Sequence, residues 1–317
     1  MKNILELGAI GDGIFDNTII INLALQNYNA IYIPSGHFRI TQPLVIPYTR
    51  QIEGDGYSSM VDYQGTNFQD IIKIENSPAG GRISRIQLLS SNLSARHSIH
   101  IEMSEGKYVN RHIIEQCWLH GYGGGAGIGL TNPNLNGYFC SQIRDNTIIG
   151  GGIQLDNCGD SVGVTGNLIT GPGPGIELTF VPGAANSWIR DNNITAQGRA
   201  ISLGNAAQNI EIRGNQIEHT VADPQVDYIV SIRGGVNRNS NVEFVGNNVN
   251  GMLPTTVTLA GVEVANLDYI LIERNKFTGV PYGVHTRTSS KFITYGCNNV
   301  YNGGITNLNN GKNIKYL

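Results

Sequence analysis

The chain has 317 residues, 41 of them glycine, with only 14% charged side chains and a formal net charge of −3. No basic run offers the cations that neutralise a phosphate backbone, so nucleic acid is not an expected partner, and no apolar stretch is long enough to span a bilayer. Abundant glycine and asparagine argue against a helical bundle and for many short strands joined by tight turns, as in a repeat fold whose turns contact only their neighbours.

The opening MKNILELGAIGDG is broken by Glu6 and glycines and lacks the apolar core of a secretory signal, which leaves a cytoplasmic or a released, virion-associated compartment open. In FDNT, Asp16, Asn17 or Thr18 is expected to cap a helix running through IIINLALQN, and AIYIPSGHFRI reads as a first strand and turn. A helix there would cover the open end of a stacked-strand fold, which otherwise leaves edges unpaired.

Two phrases then recur. The first, apolar-x-x-Asn-x-apolar, appears as IRDNTI with Asn146, VTGNLI with Asn167, IRDNNI with Asn192, IRGNQI with Asn215, FVGNNV with Asn247 and IERNKF with Asn275, with a variant near Asn298. Its intervals of about 21 to 32 residues suit one solenoid turn of three short strands. Asparagine tolerates the left-handed backbone of a sharp turn, and its amide can bond to the asparagine one turn above and below, so a structural ladder is expected. The second phrase alternates apolar residues at period two: Ile99/Ile101, Ile128/Leu130, Ile153/Leu155, Ile176/Leu178, Ile201/Leu203, Val230/Ile232 and Val262/Val264 point inward, and the last strand departs with Thr286 after Val284. Four scattered cysteines (Cys117, Cys140, Cys158, Cys297) without C-x-x-C spacing read as small buried thiols.

The opening GAIGDGIFDNT followed by IYIPSGHFRI resembles the start of the pectate-lyase-like superfamily, which includes phage tailspikes, polysaccharide lyases and glycoside hydrolases. The resemblance implies an all-β, right-handed parallel β-helix with a short N-terminal capping helix. It makes 1–317 one β-helix domain, with a cap and first turn at 1–45, helix turns at 46–300 and a C-terminal end at 301–317. It also makes a homotrimer a reasonable assembly and a polysaccharide or oligosaccharide the expected partner. Asp12 and Asp16 fall in this motif and read as turn and capping residues.

If the period-two strands stack in register, their outward positions form two columns: His100, Gly129, Gln154, Glu177, Ser202, Ser231, Glu263, His285, and Glu102, Thr131, Asp156, Thr179, Gly204, Arg233, Ala265, Arg287. Asp156 and Glu177 lie on consecutive turns, with α-carbons expected about 8 Å apart, and are the candidate catalytic pair of acid and base or nucleophile. Gln154, Thr179, Ser202, Arg233, Glu263, His285 and Arg287 are candidate substrate-binding residues. Phe180 and Tyr122 are candidate stacking platforms, and Trp118 and Trp188 read as packing residues.

Arg233, Arg287 and His285 would instead serve a lyase or epimerase of uronic-acid chains, which must neutralise a sugar carboxylate and move a proton. The competing structural reading pairs these arginines with Glu263. His100 with Glu102, His97 and Arg96 reads as surface, and Glu218 and His219 are weak candidates for bending over the face. No cofactor or metal is expected, apart from calcium if the chain is a lyase, because no contiguous calcium-loop pattern is present. Three functions stand at this level: an enzyme cleaving or rearranging glycosidic bonds with two carboxylates, a uronate lyase or epimerase, and a non-catalytic tailspike-like shaft.

Overall fold

In the computed structural model the period-two phrases are strands, and their described pairings are parallel. It describes every residue except 48, 76–79, 104–108, 122–124, 132–137, 207, 221–226, 236–239, 252–259, 288–289, 297–298, 303–306, 310–313 and 317. The chain forms two compact units, Met1–Asp156 and Asn157–Leu317. Each is a parallel β-solenoid built from three sheets, to which every turn gives one strand. In the first unit a turn runs through Ala30–Ile33, Gly36–Ile40 and Leu44–Ile46, in the first, second and third sheets respectively. In the second unit a turn runs through Trp188–Arg190, Asn193–Ala196 and Ile201–Ala206. Among the described residues there is one α-helix, Thr18–Asn27. It is too short to cross a membrane.

The helix forms where the sequence placed it, and the division of labour at its start is specific. Asp16 Oδ1 accepts the Thr18 amide and hydroxyl, at 3.0 and 2.6 Å, while Asp12 Oδ1 accepts the amides of Ile14 and Phe15. Asn17 sits at the cap position, yet its side chain turns away to bond the Ile10 and Phe15 backbone. Ile21, Ala24 and Leu25 are buried, and Asn22 staples the helix to the chain around Leu44–Ile46 by bonding the Pro43 carbonyl and the Val45 amide. Polar residues of the opening motif are thus consumed in holding the cap.

The asparagine ladder is present in the second unit with full amide geometry. Nδ2 of Asn167, Asn192, Asn215, Asn247 and Asn275 donates to Oδ1 of the next ladder asparagine at 2.9 to 3.1 Å, ending on Asn299. The ladder residue of the last phrase is therefore Asn299; Asn298 lies outside the described residues. One expectation needs correction. The left-handed backbone belongs to the residue before each asparagine: Gly166 (φ 67°), Asp191 (φ 54°), Gly214 (φ 67°), Gly246 (φ 68°) and Arg274 (φ 55°). The preceding residue makes the corner, and the asparagine then points inward where its amide replaces water.

In the first unit Cys117 occupies the equivalent position. Its amide donates to Asn146 Oδ1 at 3.0 Å, and burial pushes its thiol up to about 12. Cys158 is also buried, Cys140 is exposed, contrary to the expectation for it, and Cys297 lies outside the described residues.

Asn215→Ala would strand the Asn192 amide and the Ile189 carbonyl, and would leave Asn192 Nδ2 with only the Val164 carbonyl and Asn247 Oδ1 with only the backbone amide of residue 215. At about 1 to 3 kcal/mol per stranded group, a loss of at least about 2 kcal/mol is expected in urea unfolding. A loss below about 1 kcal/mol would show that the ladder is dispensable.

Candidate active site on the third sheet

Outward side chains of the third sheet line up as register predicts. In the first unit His100 pairs with Gly129, and Gly129 with Gln154. In the second, Glu177, Ser202, Ser231, Glu263 and His285 are successive partners. The register does shift once, but between Leu203 and Ala206 at the strand's end. It leaves the alignment at Val230 intact.

On the first unit the loop before Ile99–Glu102 folds over the wall. Arg96 grips both oxygens of Asp70, at 3.0 and 2.8 Å, and His100 Nδ1 lies 2.8 Å from Asp70 Oδ2. Burial alone would raise the Asp70 carboxyl, but His100 and Arg96 overcome it and hold the group at about 2. His97 stacks beside His100 with ring centroids 5.1 Å apart and accepts the Ala126 amide. Its ring lies so close to Gly129 that a β-carbon there would come within 3.1 Å of it. His100 is only 4% exposed. The surface reading of this cluster is therefore corrected: the covering loop buries an outward-pointing residue. Lys73, one strand away, pairs with Glu75 at 2.8 Å and with Glu102.

Asp156 stands on Ile153–Cys158 as an exposed side chain. No described residue hydrogen-bonds or ion-pairs with its carboxyl, and partial burial against the wall raises it from its ordinary value. Asp62, Asp70, Glu115 and Glu263, by contrast, are held low by their partners. Gln154 is half-buried on the same strand.

On the second unit the candidates converge on Glu263, which is 0% exposed. Its Oε2 accepts Ser231 Oγ at 2.9 Å and Arg233 Nε and Nη2 at 2.9 and 2.8 Å, while Oε1 accepts Arg287 Nε at 2.9 Å. Arg287 also donates to Tyr228 Oη at 3.2 Å, and Tyr228 Oη lies 2.8 Å from His285 Nδ1. Burial and the neighbouring Arg287 lower His285, favouring neutral imidazole. The two guanidiniums remain about half exposed, whereas Tyr228, Glu263 and His285 are buried.

Glu177, Thr179 and Ser202 are half-buried on the same sheet, and Thr179 Oγ1 accepts the Asn157 amide at 2.8 Å. Phe180 is corrected: it is 0% exposed because it shares the inward parity of Ile176 and Leu178, so it cannot stack on a sugar. Tyr122 lies outside the described residues. Trp118 and Trp188 sit on outer faces, packing on Tyr57 and Arg190. Glu218 and His219 lie on the second-sheet strand Gln216–His219, with His219 buried, and so are remote from the wall.

Two residues of these clusters escaped sequence reading. Asp70 precedes a strand and so falls outside the alternating phrase. Tyr228 shares the parity of the core residues Val230 and Ile232, which hides its hydroxyl. Among the described residues no group of three or more His, Cys, Asp and Glu side chains is placed to hold a metal ion.

The family model for rhamnogalacturonase A/epimerase, pectate lyase-like, matches residues 1–224. The chain belongs to this family. No curated protein is detectably similar in sequence. Among solved structures, the mannuronan C-5 epimerase AlgE6 A-module of Azotobacter vinelandii is similar at 13% identity and TM-score 0.69, covering 100% of this chain and 99% of that one. DFA-IIIase of Arthrobacter chlorophenolicus A6 is similar at 15% identity and TM-score 0.63, covering 95% and 98%. Tailspike protein 3 of bacteriophage CBA120 is similar at 15% identity and TM-score 0.52, covering 98% of this chain and 61% of that one. At these identities the likeness is one of fold, that of a pectate-lyase-like parallel β-helix.

Proposed function

We propose that the family member described here is a carbohydrate-active enzyme that cleaves or rearranges glycosidic bonds, with Asp156 as general acid and Glu177 as base or nucleophile. The observation that carries this is the state of Asp156: a carboxyl on the third sheet with no hydrogen-bonding or ion-pairing partner among the described residues, raised by the partial burial of its base against the wall. A carboxyl that keeps its proton to higher pH can deliver it to a glycosidic oxygen, the role that two-carboxylate glycosidases need filled. Glu177 is assigned by residue type and by its half-buried position beside Ser202 on the third sheet. The names of the structural neighbours, an epimerase, DFA-IIIase and a tailspike, support a saccharide ligand.

One observation favours a second reading. Arg233 and Arg287 share the carboxylate of Glu263, and both arginine side chains remain about half exposed. Such a surface suits the carboxylate of an acidic sugar, as a uronate lyase or epimerase requires.

Product analysis of neutral and acidic polysaccharides and fructans separates these readings. Saturated products that disappear in Asp156→Asn and Glu177→Gln support the two-carboxylate reaction. Unsaturated uronates, or inverted residues in an uncut chain, support the second reading. A panel bound but unchanged overturns both and leaves a binding shaft.

A further inference from the structure

A carboxylate, an imidazole and a hydroxyl stand in line on the third sheet of the first unit. Asp70 Oδ2 is 2.8 Å from His100 Nδ1, and His100 Nε2 is 2.9 Å from Thr131 Oγ1. Of the two groups at Nδ1, Asp70 Oδ2 at 2.8 Å and Arg96 Nη2 at 3.0 Å, the nearer carboxylate sets the tautomer. Asp70 is clasped by Arg96, so its carboxylate is ionised and only accepts; a 2.8 Å contact with Nδ1 is attractive only when Nδ1 carries hydrogen. In neutral imidazole Nε2 is then an acceptor, and Thr131 must donate to it.

Exposure divides these three groups. Asp70 and His100 are 5% and 4% exposed, while Thr131 faces solvent. A structural histidine needs only two partners, and backbone would serve. Here a buried acid orients a buried base whose free lone pair is spent on an accessible hydroxyl, the arrangement that activates a nucleophile. Leu130 pairs with Leu155, so the next outward residues, Thr131 and Asp156, stand on adjacent strands about 4.8 Å apart.

We propose that Thr131 is a nucleophile activated by His100 and positioned through Asp70, and that this face carries a second activity, hydrolysis of small O-acyl esters. Thr131 Oγ attacks the ester carbonyl as its proton passes to His100 Nε2. The ester C–O bond breaks, the alkoxide leaves with that proton, and the acyl group remains on Thr131. Water then gives a proton to Nε2, attacks the acyl carbon and releases the acid, restoring the hydroxyl. Esters suit this machinery because the attacked carbon is a carbonyl and the leaving oxygen needs one proton. Glycosidic carbon is handled by carboxylates.

The test uses the whole chain with p-nitrophenyl acetate, which has no glycosidic bond, so its outcome is independent of whether any glycan is cut. Expected are p-nitrophenol release above that of an equal concentration of imidazole and an acetyl group on Thr131 in acid-quenched peptide mass spectra. Thr131→Ala should lower the rate at least about a hundredfold, and Thr131→Ser should retain both release and adduct. Thr131 is exposed, so the alanine variant should fold. Asp70→Asn, where melting shows it folded, should lower kcat and acetyl loading with KM unchanged. Wild-type release no faster than imidazole, Thr131→Ala equal to wild type, or an acetyl group found elsewhere would each overturn the proposal.

Discussion

Replacing Asp156 with asparagine should lower the kcat for carbohydrate turnover by about 10²- to 10⁴-fold, the usual worth of a positioned acid, in a protein that melts no lower than wild type. The two halves of this expectation share one cause. The carboxyl has no described partner to lose, and its displacement is upward, from burial. A raised folded-state value means that folding favours the protonated form. That contribution to stability is fully present below the unfolded carboxyl value, near about 4, and is lost as pH rises through the folded value. At neutral pH the ionised carboxyl is therefore a small burden that asparagine removes. Melting curves at pH 7 should show the variant equal to or above wild type, and the gap should close in acid. Wild-type kcat should fall as pH climbs through the raised value, because the reaction needs the acid form. A variant with normal kcat would remove Asp156 from the chemistry.

Glu263→Gln should act in the opposite way, as a stability defect. Burial by itself would raise Glu263, yet hydrogen bonds from Arg233 and Ser231 and the charge of Arg233, joined by Arg287, hold it low. A neutral amide retains one acceptor oxygen and turns an NH₂ toward guanidinium donors, leaving two cations without their shared anion. Breaking a buried pair costs about 3 to 5 kcal/mol. Because both arginines are about half exposed and screened by water, the lower end, about 3 kcal/mol, is expected in urea unfolding at pH 7. With the folded value depressed, the stabilisation is present above the unfolded carboxyl value, near about 4.3, and is lost as pH falls through the folded one. The difference between wild type and variant should therefore shrink toward pH 3. A loss that persists unchanged in acid would show that shape at this position, and not charge, is what the second unit requires.

Both predictions rest on residues whose positions were legible and whose states were not. Alternation in Ile128/Leu130, Ile201/Leu203 and Val262/Val264 determined which side chains enter the core, hence the outward columns that contain Asp156, Glu263 and His285. The same parity already placed Phe180 inside. The recurring asparagines determined the ladder, because an amide that both donates and accepts can repeat indefinitely along a stack. These are local rules, carried by a residue and its near neighbours in the chain.

What the tertiary structure decided is partnership. Asp70 meets His100 across 30 residues, and Tyr228 meets His285 across 57. Neither distance follows from a repeat whose loops vary in length. The loop bearing Arg96 and His97 buries a histidine that alternation directs outward. Only the stacked turns remove water from Asp156 and deliver two arginines to Glu263, so their opposite displacements appear once the chain is folded. The strand pattern arises from burying apolar surface at period two, whereas charge state depends on desolvation and on neighbours brought from distant turns.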